Sequence, residues 1–245
     1  MWFDSVPLRA LITPASQKNR PDLPLLSVVR EKGVILRSRD KSENHNTIPD
    51  DLSGYKVVHS GQFVINKMKA WQGSCGVYQY DGIVSPAYFV FDLHEADPCY
   101  FNYTIRSHHF VGEFGRISNG IRVGQWDLSM DALKYVRFPL PSHAEQDQIV
   151  RFLDWKVSQV NRLSRTLCGK SSIDPKDLER YKKSQISLLI EYRTRLISDV
   201  VTGKLDVRDV AVPEYEAVEE TAGYMPCDGE TDLPECGDAG LEATA

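Results

Sequence analysis

Two long helical patterns between Pro139 and Gly203 constrain this sequence more than any other feature. A break at residues 168–173 separates the two runs. Apolar residues recur at three- and four-residue steps in both, as in an amphipathic or coiled-coil helix. The first run contains Val150, Leu153, Val157, Val160 and Leu167, with Ile149, Phe152 and Leu163 widening the apolar face and Ser164 interrupting it. The second contains Leu178, Tyr181, Leu188, Leu189, Tyr192, Leu196, Ile197 and Val200.

The ends of both runs carry recognisable helix signals. Ser142 and Glu145 have the spacing of a capping box, and the prolines before them disfavour helix. Asp174 is placed as the N-cap of the second run, Pro175 occupies its first turn, and Gly203 is expected to end it in a left-handed conformation. At about 1.5 Å per residue, each helix is roughly 35 to 45 Å long. The pattern fits either two helices on an ordinary core or an extended rod with a docking face.

The charges of the chain are segregated. The net charge is -5, yet residues 211–245 hold ten of the 34 acidic residues and none of the 29 basic ones. Residues 1–210 are therefore basic by five charges, and residues 211–245 are predicted to be an acidic, disordered tail. A basic excess of this size is modest for a DNA-binding protein, so binding would depend on a localised patch or on partner subunits.

The composition predicts a cytoplasmic protein without disulfides. There is no N-terminal signal pattern, and no apolar run approaches the roughly 18 residues of a membrane span. The five cysteines are scattered and contain no Cys-x-x-Cys pair, which argues against a disulfide framework or a zinc site. No cofactor or metal is expected.

Residues 1–138 read as a mixed domain of short strands and helices, so the fold class is predicted to be α+β. Residues 2–8 are expected to form an edge segment, and strands are predicted around the Lys32-Gly33 turn. Residues 55–66 have the pattern of a hairpin with a turn at Ser60-Gly61. Further along, residues 98–106 are predicted to be helical, Ser129–Leu133 to be a helical turn, and 135–140 to be a strand leading into the first long helix.

Two polar segments of this domain are candidates for DNA contact. Residues 116–126 are predicted to be a glycine-punctuated loop with side chains suited to phosphates or base edges, and residues 67–73 add two lysines and a glutamine. Arg binds guanine bidentately and Asn or Gln binds adenine, whereas Lys mostly holds phosphate. Trp71 and Tyr88 are expected to be core or shape-setting residues. The predicted DNA-binding residues are Lys67, Lys69, Gln72, Arg116, Ser118, Asn119, Arg122 and Gln125.

Several blocks resemble type I restriction-modification specificity subunits. The helical blocks are Pro139-Leu140-Pro141-x-x-x-Glu145-Gln146, Ile149-Val150-x-Phe152-Leu153-Asp154, and residues 188–204, which read Leu-Leu-Ile-Glu-Tyr-Arg-Thr-x-Leu-Ile-Ser-Asp-x-Val-Thr-Gly-Lys. These are similar to the conserved helical region of that family. Weaker blocks, similar to its recognition domains, are Gly61-Gln62-Phe63, Lys67-Met68-x-x-Trp71-x-Gly73 and Ser85-Pro86-Ala87-Tyr88.

The resemblance implies a non-catalytic subunit with residues 1–138 as target recognition domain, 139–210 as helical spacer and dimerisation region, and 211–245 as tail. It implies double-stranded DNA as ligand, with methyltransferase and restriction subunits as partners. The family usually carries two recognition domains and two helical regions, whereas one of each is found here. The chain therefore resembles a half-subunit whose two copies pair their helices antiparallel as a homodimer. The break at residues 168–175 departs from the family's more continuous helix.

Two other functions stay open at this point. One is a coiled-coil adaptor or truncated remnant that does not read DNA. The other is a metal-dependent nuclease, which would use the histidines 94, 108 and 109 with nearby carboxylates, although these lack ligand spacing. An Asn-Pro-Pro-aromatic element, expected of an adenine methyltransferase, does not occur in the sequence. Salt-dependent DNA binding distinguishes the specificity subunit from the adaptor, and Mg²⁺-dependent cleavage identifies the nuclease.

Overall fold

The structure, a computed structural model, describes residues 4–30, 32–37, 49, 51–120, 126–169 and 175–215, without the side chains of residues 167–169 and 175–182. The fold is α+β, as predicted: a head of short strands and helices followed by two long helices. The strands are β1 (Ser5–Pro7), β2 (Ile12–Ala15), β3 (Leu26–Val29), β4 (Gly33–Leu36), β5 (Lys56–Val58), β6 (Phe63–Asn66), β7 (Cys75–Val77), β8 (Gly82–Val84), β9 (Tyr88–Leu93), β10 (Ser118–Asn119), β11 (Asp127–Leu128) and β12 (Arg137–Pro139). The helices are α1 (Pro98–Ile105), α2 (His108–Arg116), α3 (Met130–Leu133), α4 (His143–Gly169) and α5 (Pro175–Val201).

A four-stranded antiparallel sheet with the order β2-β9-β6-β7 forms the middle layer of the head. Side chains alternate across it, because successive residues of a strand point to opposite faces. Phe63 and Ile65 belong to the core that also contains α1 and α2, whereas Val64 belongs to a second core with β3, β4, β5 and β8. The sheet is therefore covered on both faces.

The hairpin predicted for residues 55–66 is wrong. Strand β5 pairs with β8, with Lys56 opposite Val84, while β6 pairs with β7 on one side and β9 on the other. Because β6 is buried along its whole length and bonded on both edges, it has no free edge for β5. The predicted strands around Lys32-Gly33 are confirmed as the β3–β4 hairpin.

The short helix predicted for residues 98–106 is confirmed as α1. Asp97 caps it by accepting a hydrogen bond from the Tyr100 amide at 2.8 Å, and Pro98 occupies its first turn. Helix α2 follows directly and was not predicted.

The predicted helical turn at Ser129–Leu133 corresponds to α3, and the strand predicted for residues 135–140 corresponds to β12. Strand β12 pairs with β1, which confirms that the N-terminal segment forms an edge.

Helix α4 begins at the predicted capping box. The Ser142 amide donates to the Glu145 carboxylate at 2.9 Å, and the Glu145 amide donates to the Ser142 hydroxyl at 3.4 Å. The next residue, Gln146, is buried and bridges two other segments: its side-chain oxygen accepts from the Asp97 amide at 2.8 Å, and its amide group donates to the Pro141 carbonyl at 3.0 Å. The Glu-Gln pair therefore fixes the start of α4 against the start of α1.

Helix α5 begins at Pro175, as predicted, while its predicted N-cap, Asp174, lies outside the described residues. Its end is also confirmed: Gly203 has a φ of 69°, and the Lys204 amide donates to the Asp199 carbonyl at 2.8 Å. Glycine adopts this left-handed conformation without the steric cost that a Cβ imposes.

The two long helices form an antiparallel hairpin whose base is built into the head. Ile149, Phe152 and Leu153 near the start of α4 and Val200 and Val201 at the end of α5 belong to the same core as α1 and α2. The ends joined to the head therefore meet, and the helices extend away from it side by side. At about 1.5 Å per residue, each spans roughly 40 Å.

The segment after α5 returns along the base of this hairpin. The Gln148 side chain donates to the carbonyl oxygens of Val207 at 3.0 Å and Val210 at 2.7 Å, and Val207 is buried. Val212 also packs against the main core. Residues 216–245 of the predicted tail lie outside the described residues, so the division into 1–138, 139–210 and 211–245 stays a prediction. Within the described part of the chain, no helix is both long enough and apolar enough to cross a membrane.

Candidate nucleic-acid interface

The first candidate segment, residues 67–73, is a tight turn between β6 and β7. The Asn66 side chain accepts from the Met68 amide at 3.1 Å, and a 3-10 turn follows at Ala70–Gln72. Gly73 ends this turn with a φ of 89°, and a Cβ there would lie 3.0 Å from a methyl carbon of Val111 on α2. The turn therefore depends on glycine for its conformation and for close packing on α2.

The second candidate segment, predicted to be a glycine-punctuated loop, begins with a helix end and a short strand. Arg116 is the last residue of α2, and the two residues of β10 pair with β11, Ser118 opposite Leu128 and Asn119 opposite Asp127. The described part is the base of a hairpin. Arg122 and Gln125, the other two predicted contacts on this segment, lie outside the described residues.

The tertiary structure brings these two segments together. The Leu128 amide of β11 donates to the Lys67 carbonyl at 3.1 Å, and the rings of Trp71 and Trp126 lie 5.3 Å apart. Residues 55 to 61 positions apart in sequence therefore form one continuous surface. The role of Trp71 as a core or shape-setting residue stays a prediction. We call residues 67–73 together with the described residues 116–119 and 126–128 the convergent surface.

The predicted contact residues are not equivalent on this surface. Lys69 and Asn119 are exposed, and Gln72 is partly exposed. Lys67 is partly exposed and forms an ion pair with Asp127, at 2.5 Å between its Nζ atom and the carboxylate. These four side chains, together with the 66% exposed Arg116, are the part of the predicted set that the convergent surface presents to solvent.

Arg116 and Ser118 have other environments. The Arg116 guanidinium donates to the Glu113 carboxylate at 2.8 Å, and this hydrogen bond raises the pKa of Arg116. Ser118, which was predicted to contact DNA, is only 7% exposed. It is buried because it occupies the inward position of β10, opposite the buried Leu128.

Two buried polar atoms of the convergent surface have no hydrogen-bond partner among the described residues. They are the Ser118 hydroxyl oxygen and the Trp71 indole nitrogen. A buried donor without a partner costs about 1–3 kcal/mol. Such groups are therefore expected to bind water or a ligand, and they lie on the two segments that converge here.

Sequence reasoning missed one charged member of the surface, Asp127. Its carboxylate lies in the middle of the polar side chains, paired with Lys67 and opposite Asn119 across the hairpin. The only available signal was its position next to Trp126 at the end of the polar segment. Acidic residues are not expected at a phosphate-binding surface, so the residue type gave no reason to include Asp127 among the predicted DNA contacts.

A second candidate surface lies on the helical hairpin beyond the head. On its outer part Leu163 of α4 is 54% exposed, and Leu188 and Tyr192 of α5 are 56% and 52% exposed. The predicted apolar stripe is thus only partly used within this chain: Val157, Val160 and Ile186 are buried, whereas these three side chains face solvent. We call Leu163, Leu188 and Tyr192 the distal apolar face.

The alternative of a metal-dependent nuclease would use a cluster of metal-ligating side chains. No group of three or more His, Cys, Asp or Glu side chains that would hold a metal ion occurs among the described residues. His94 contacts the Thr13 hydroxyl at 2.8 Å, and Asp154 accepts a hydrogen bond from Tyr103 at 2.7 Å. Asp154 thus joins α4 to α1.

Comparison with known proteins gives structural neighbours only. No protein-family model matches the chain, and no curated protein matches it. A chain from a structure described as showing complex assembly and conformational transition of the type I R-M system aligns with a TM-score of 0.45 and 15% identity, over 83% of this chain and 46% of that one.

Two S subunits align in a similar way. The HsdS subunit from Thermoanaerobacter tengcongensis has a TM-score of 0.43 and 16% identity, over 83% of this chain and 45% of that one. The type I restriction-modification S subunit from M. genitalium has a TM-score of 0.43 and 11% identity, over 78% and 48%. This chain therefore spans slightly less than half the length of each neighbour. With TM-scores below 0.5, these alignments carry no argument about function.

Proposed function

We propose that this protein is a non-catalytic DNA specificity subunit of a type I restriction-modification complex. In this proposal the head reads double-stranded DNA and the helical hairpin docks methyltransferase subunits. The observation that supports it best is the convergence of the two polar segments on one surface of a head that shares its core with the hairpin base.

The convergent surface suits DNA because it combines different kinds of contact. The exposed Lys69 ammonium group is suited to phosphate, which fixes register without reading sequence. Asn119 and Gln72 carry amide groups that bind adenine edges in the major groove. The rigid turn and the Trp71–Trp126 pair hold these groups in fixed positions. A fixed arrangement is required because base readout depends on the directions of individual hydrogen bonds.

The family-like helical motif also has structural roles that suit a fixed connection. Glu145 caps α4, Gln146 joins it to α1, and Gln148 holds the segment after α5. These contacts prevent the helical hairpin from swinging freely relative to the head. A spacer with this property sets the distance between two heads, which is what a bipartite DNA site with an unspecific gap requires.

The distal apolar face is proposed to be covered by partners. Two copies of the chain related by a twofold axis would pair these faces and present two heads, and methyltransferase subunits would dock on the same helices. The partners would supply the S-adenosylmethionine chemistry, and the restriction subunits the ATP-driven translocation and cleavage. The chain itself needs no cofactor for this role, and the complex would work in the cytoplasm.

An adaptor that does not read DNA is the second candidate, and one observation favours it. Lys67 and Arg116, two of the predicted cations, are already paired with Asp127 and Glu113. These pairs reduce the positive charge that the surface offers to phosphate. DNA binding is therefore the property that separates the two candidates.

The test is binding of duplex DNA by the chain reconstituted with methyltransferase subunits, at several salt concentrations. We expect selective binding that weakens as salt rises. Lys69→Ala is expected to weaken binding to all sequences and to lower the salt slope by about 1, whereas Asn119→Ala lowers selectivity. Arg195→Ala is the control, because it removes an 82% exposed cation from α5 rather than from the head. Assembly without any salt-dependent DNA binding would favour the adaptor.

A further inference from the structure

The Asp127 carboxylate is the one anionic side chain described on the convergent surface. Its oxygen lies 2.5 Å from the Lys67 Nζ atom, and the side chains of Lys67 and Asp127 remain 37% and 49% exposed. Because Asp127 pairs with Asn119 across the hairpin, its carboxylate lies next to an exposed amide. The ion pair is thus accessible to a ligand on this surface.

A carboxylate at this position restricts what part of DNA can face it. Duplex DNA carries about one phosphate charge per 1.7 Å of its axis, so a phosphate placed against Asp127 would bring two anions together. Base edges in the major groove carry no net charge and include donors as well as acceptors. The ion pair is therefore suited to the floor of the groove rather than to the backbone.

A C·G base pair matches the Lys67–Asp127 ion pair best, because it places one donor beside two acceptors. In the major groove, cytosine presents its N4 amino donor beside the O6 and N7 acceptors of the paired guanine. An ammonium group has three donor hydrogens, and a carboxylate has about four acceptor positions. Each group keeps capacity for a base after the Lys67–Asp127 contact is made. The ion pair also fixes the long lysine side chain, which lowers the entropy lost on binding.

We propose, on the basis of the DNA-reading function proposed above, that Lys67 and Asp127 together read one C·G base pair. Lys67 donates to guanine O6 or N7, and Asp127 accepts from cytosine N4. The ion pair is a specificity element of the head, and Asp127 is a contact residue that the sequence pattern did not indicate. A T·A pair at the same position places an acceptor, thymine O4, against the carboxylate. An A·T pair offers the adenine N6 donor, but only one acceptor, thymine O4, beside it, where guanine offers two.

The experiment uses the full chain assembled with methyltransferase subunits and a pool of duplexes with a randomised core. The preferred site of the wild type is selected first, and each of its base pairs is then replaced singly in competition binding. At one position the wild type is expected to prefer C·G by about 10-fold to 100-fold. Asp127→Asn and Lys67→Ala are both expected to lose the preference at that position and to keep those elsewhere.

The affinities of the variants for non-specific DNA distinguish readout of one base pair from a general effect of charge on DNA binding. Asp127→Asn removes an anion and is expected to bind non-specific DNA at least as tightly as the wild type, while Lys67→Ala binds it more weakly. Asp131→Asn is the matched control, because Asp131 forms a similar exposed pair with Lys134 at 2.9 Å on α3. It is expected to leave every base preference unchanged.

The outcomes distinguish the failure of this proposal from that of the proposed function. A selective wild type whose Asp127→Asn variant keeps all its preferences, or changes affinity for every sequence by one factor, would overturn the C·G assignment alone. A wild type that binds no DNA selectively would overturn the proposed function and this assignment with it. Far-UV circular dichroism and thermal melting of each variant check that the head remains folded.

Discussion

The base and the outer part of the helical hairpin have the same amphipathic pattern but different surroundings. At the base, Leu153 of α4 and Val200 of α5 are fully buried in the core of the head. Further out, Leu163 and Leu188 expose more than half of their surface. The apolar stripe is therefore buried in the core of the head at the base, whereas further out only part of it is buried, at Val160 and Ile186, and the rest is exposed.

This difference shows what an apolar stripe on a helix does and does not establish. The periodicity requires that one face be removed from water, because apolar area in water is unfavourable by about 25 cal/mol per Å². The periodicity does not indicate whether the surface that covers this face belongs to the same chain or to a partner. Variants at the two ends of the hairpin should consequently affect different properties, stability at the base and assembly further out.

The largest effect on stability is expected for Leu153→Ala. The side chain is fully buried, so the variant loses its burial and leaves a cavity, which costs about 2–5 kcal/mol of unfolding free energy. Leu163→Ala on the same helix is the matched control and should change stability by less than about 0.5 kcal/mol. Urea denaturation followed by circular dichroism measures both. Equal losses would show that the outer part is packed as tightly as the base.

A smaller loss is expected for Gln146→Ala. The variant removes the bonds to the Asp97 amide and the Pro141 carbonyl and leaves both groups without this partner, at a cost of about 1–3 kcal/mol. Gln159→Ala, at an exposed position further along the same helix, is the matched control and should be close to neutral. If both variants unfold at the same urea concentration as the wild type, the bridge between α4 and α1 contributes nothing to stability.

The smallest change in stability is expected for the double variant Leu188→Gln and Tyr192→Gln. Both side chains are more than half exposed, so the isolated chain should lose less than about 0.5 kcal/mol. Self-association or methyltransferase docking should nevertheless weaken, because these residues form the distal apolar face. Light scattering over a range of concentrations and co-purification measure this. The control is Ser187→Gln, which places the same side chain at an exposed polar position of α5. A double variant that assembles like the wild type would remove this face from the interface.

Local signals predicted the boundaries of the long helices well. The capping box at Ser142, the proline at position 175 and the glycine at 203 each act through their own backbone neighbourhood. For the same reason the β3–β4 hairpin and α1 were predictable. The hairpin predicted for residues 55–66 was wrong, because β6 is a buried strand whose partners, β7 and β9, are chosen by packing.

The candidate site was predictable only as two separate segments. Sequence indicated that residues 67–73 and 116–126 are polar, yet it did not indicate that the Leu128 amide bonds to the Lys67 carbonyl. It indicated Ser118 as a DNA contact, but it did not indicate that the pairing of β10 turns this side chain inward. Asp127 was missed because its role arises from a neighbour some sixty residues away in the chain.

The sequence by itself therefore determined where the long helices begin and end, which of their faces is apolar and which segments of the head are polar, because these properties depend on neighbours within a few residues. Only the tertiary structure decided which strands pair, which apolar side chains of the helical hairpin are buried and that Lys67 meets Asp127. Those contacts join distant parts of the chain, and their geometry is set by the packing of one shared core.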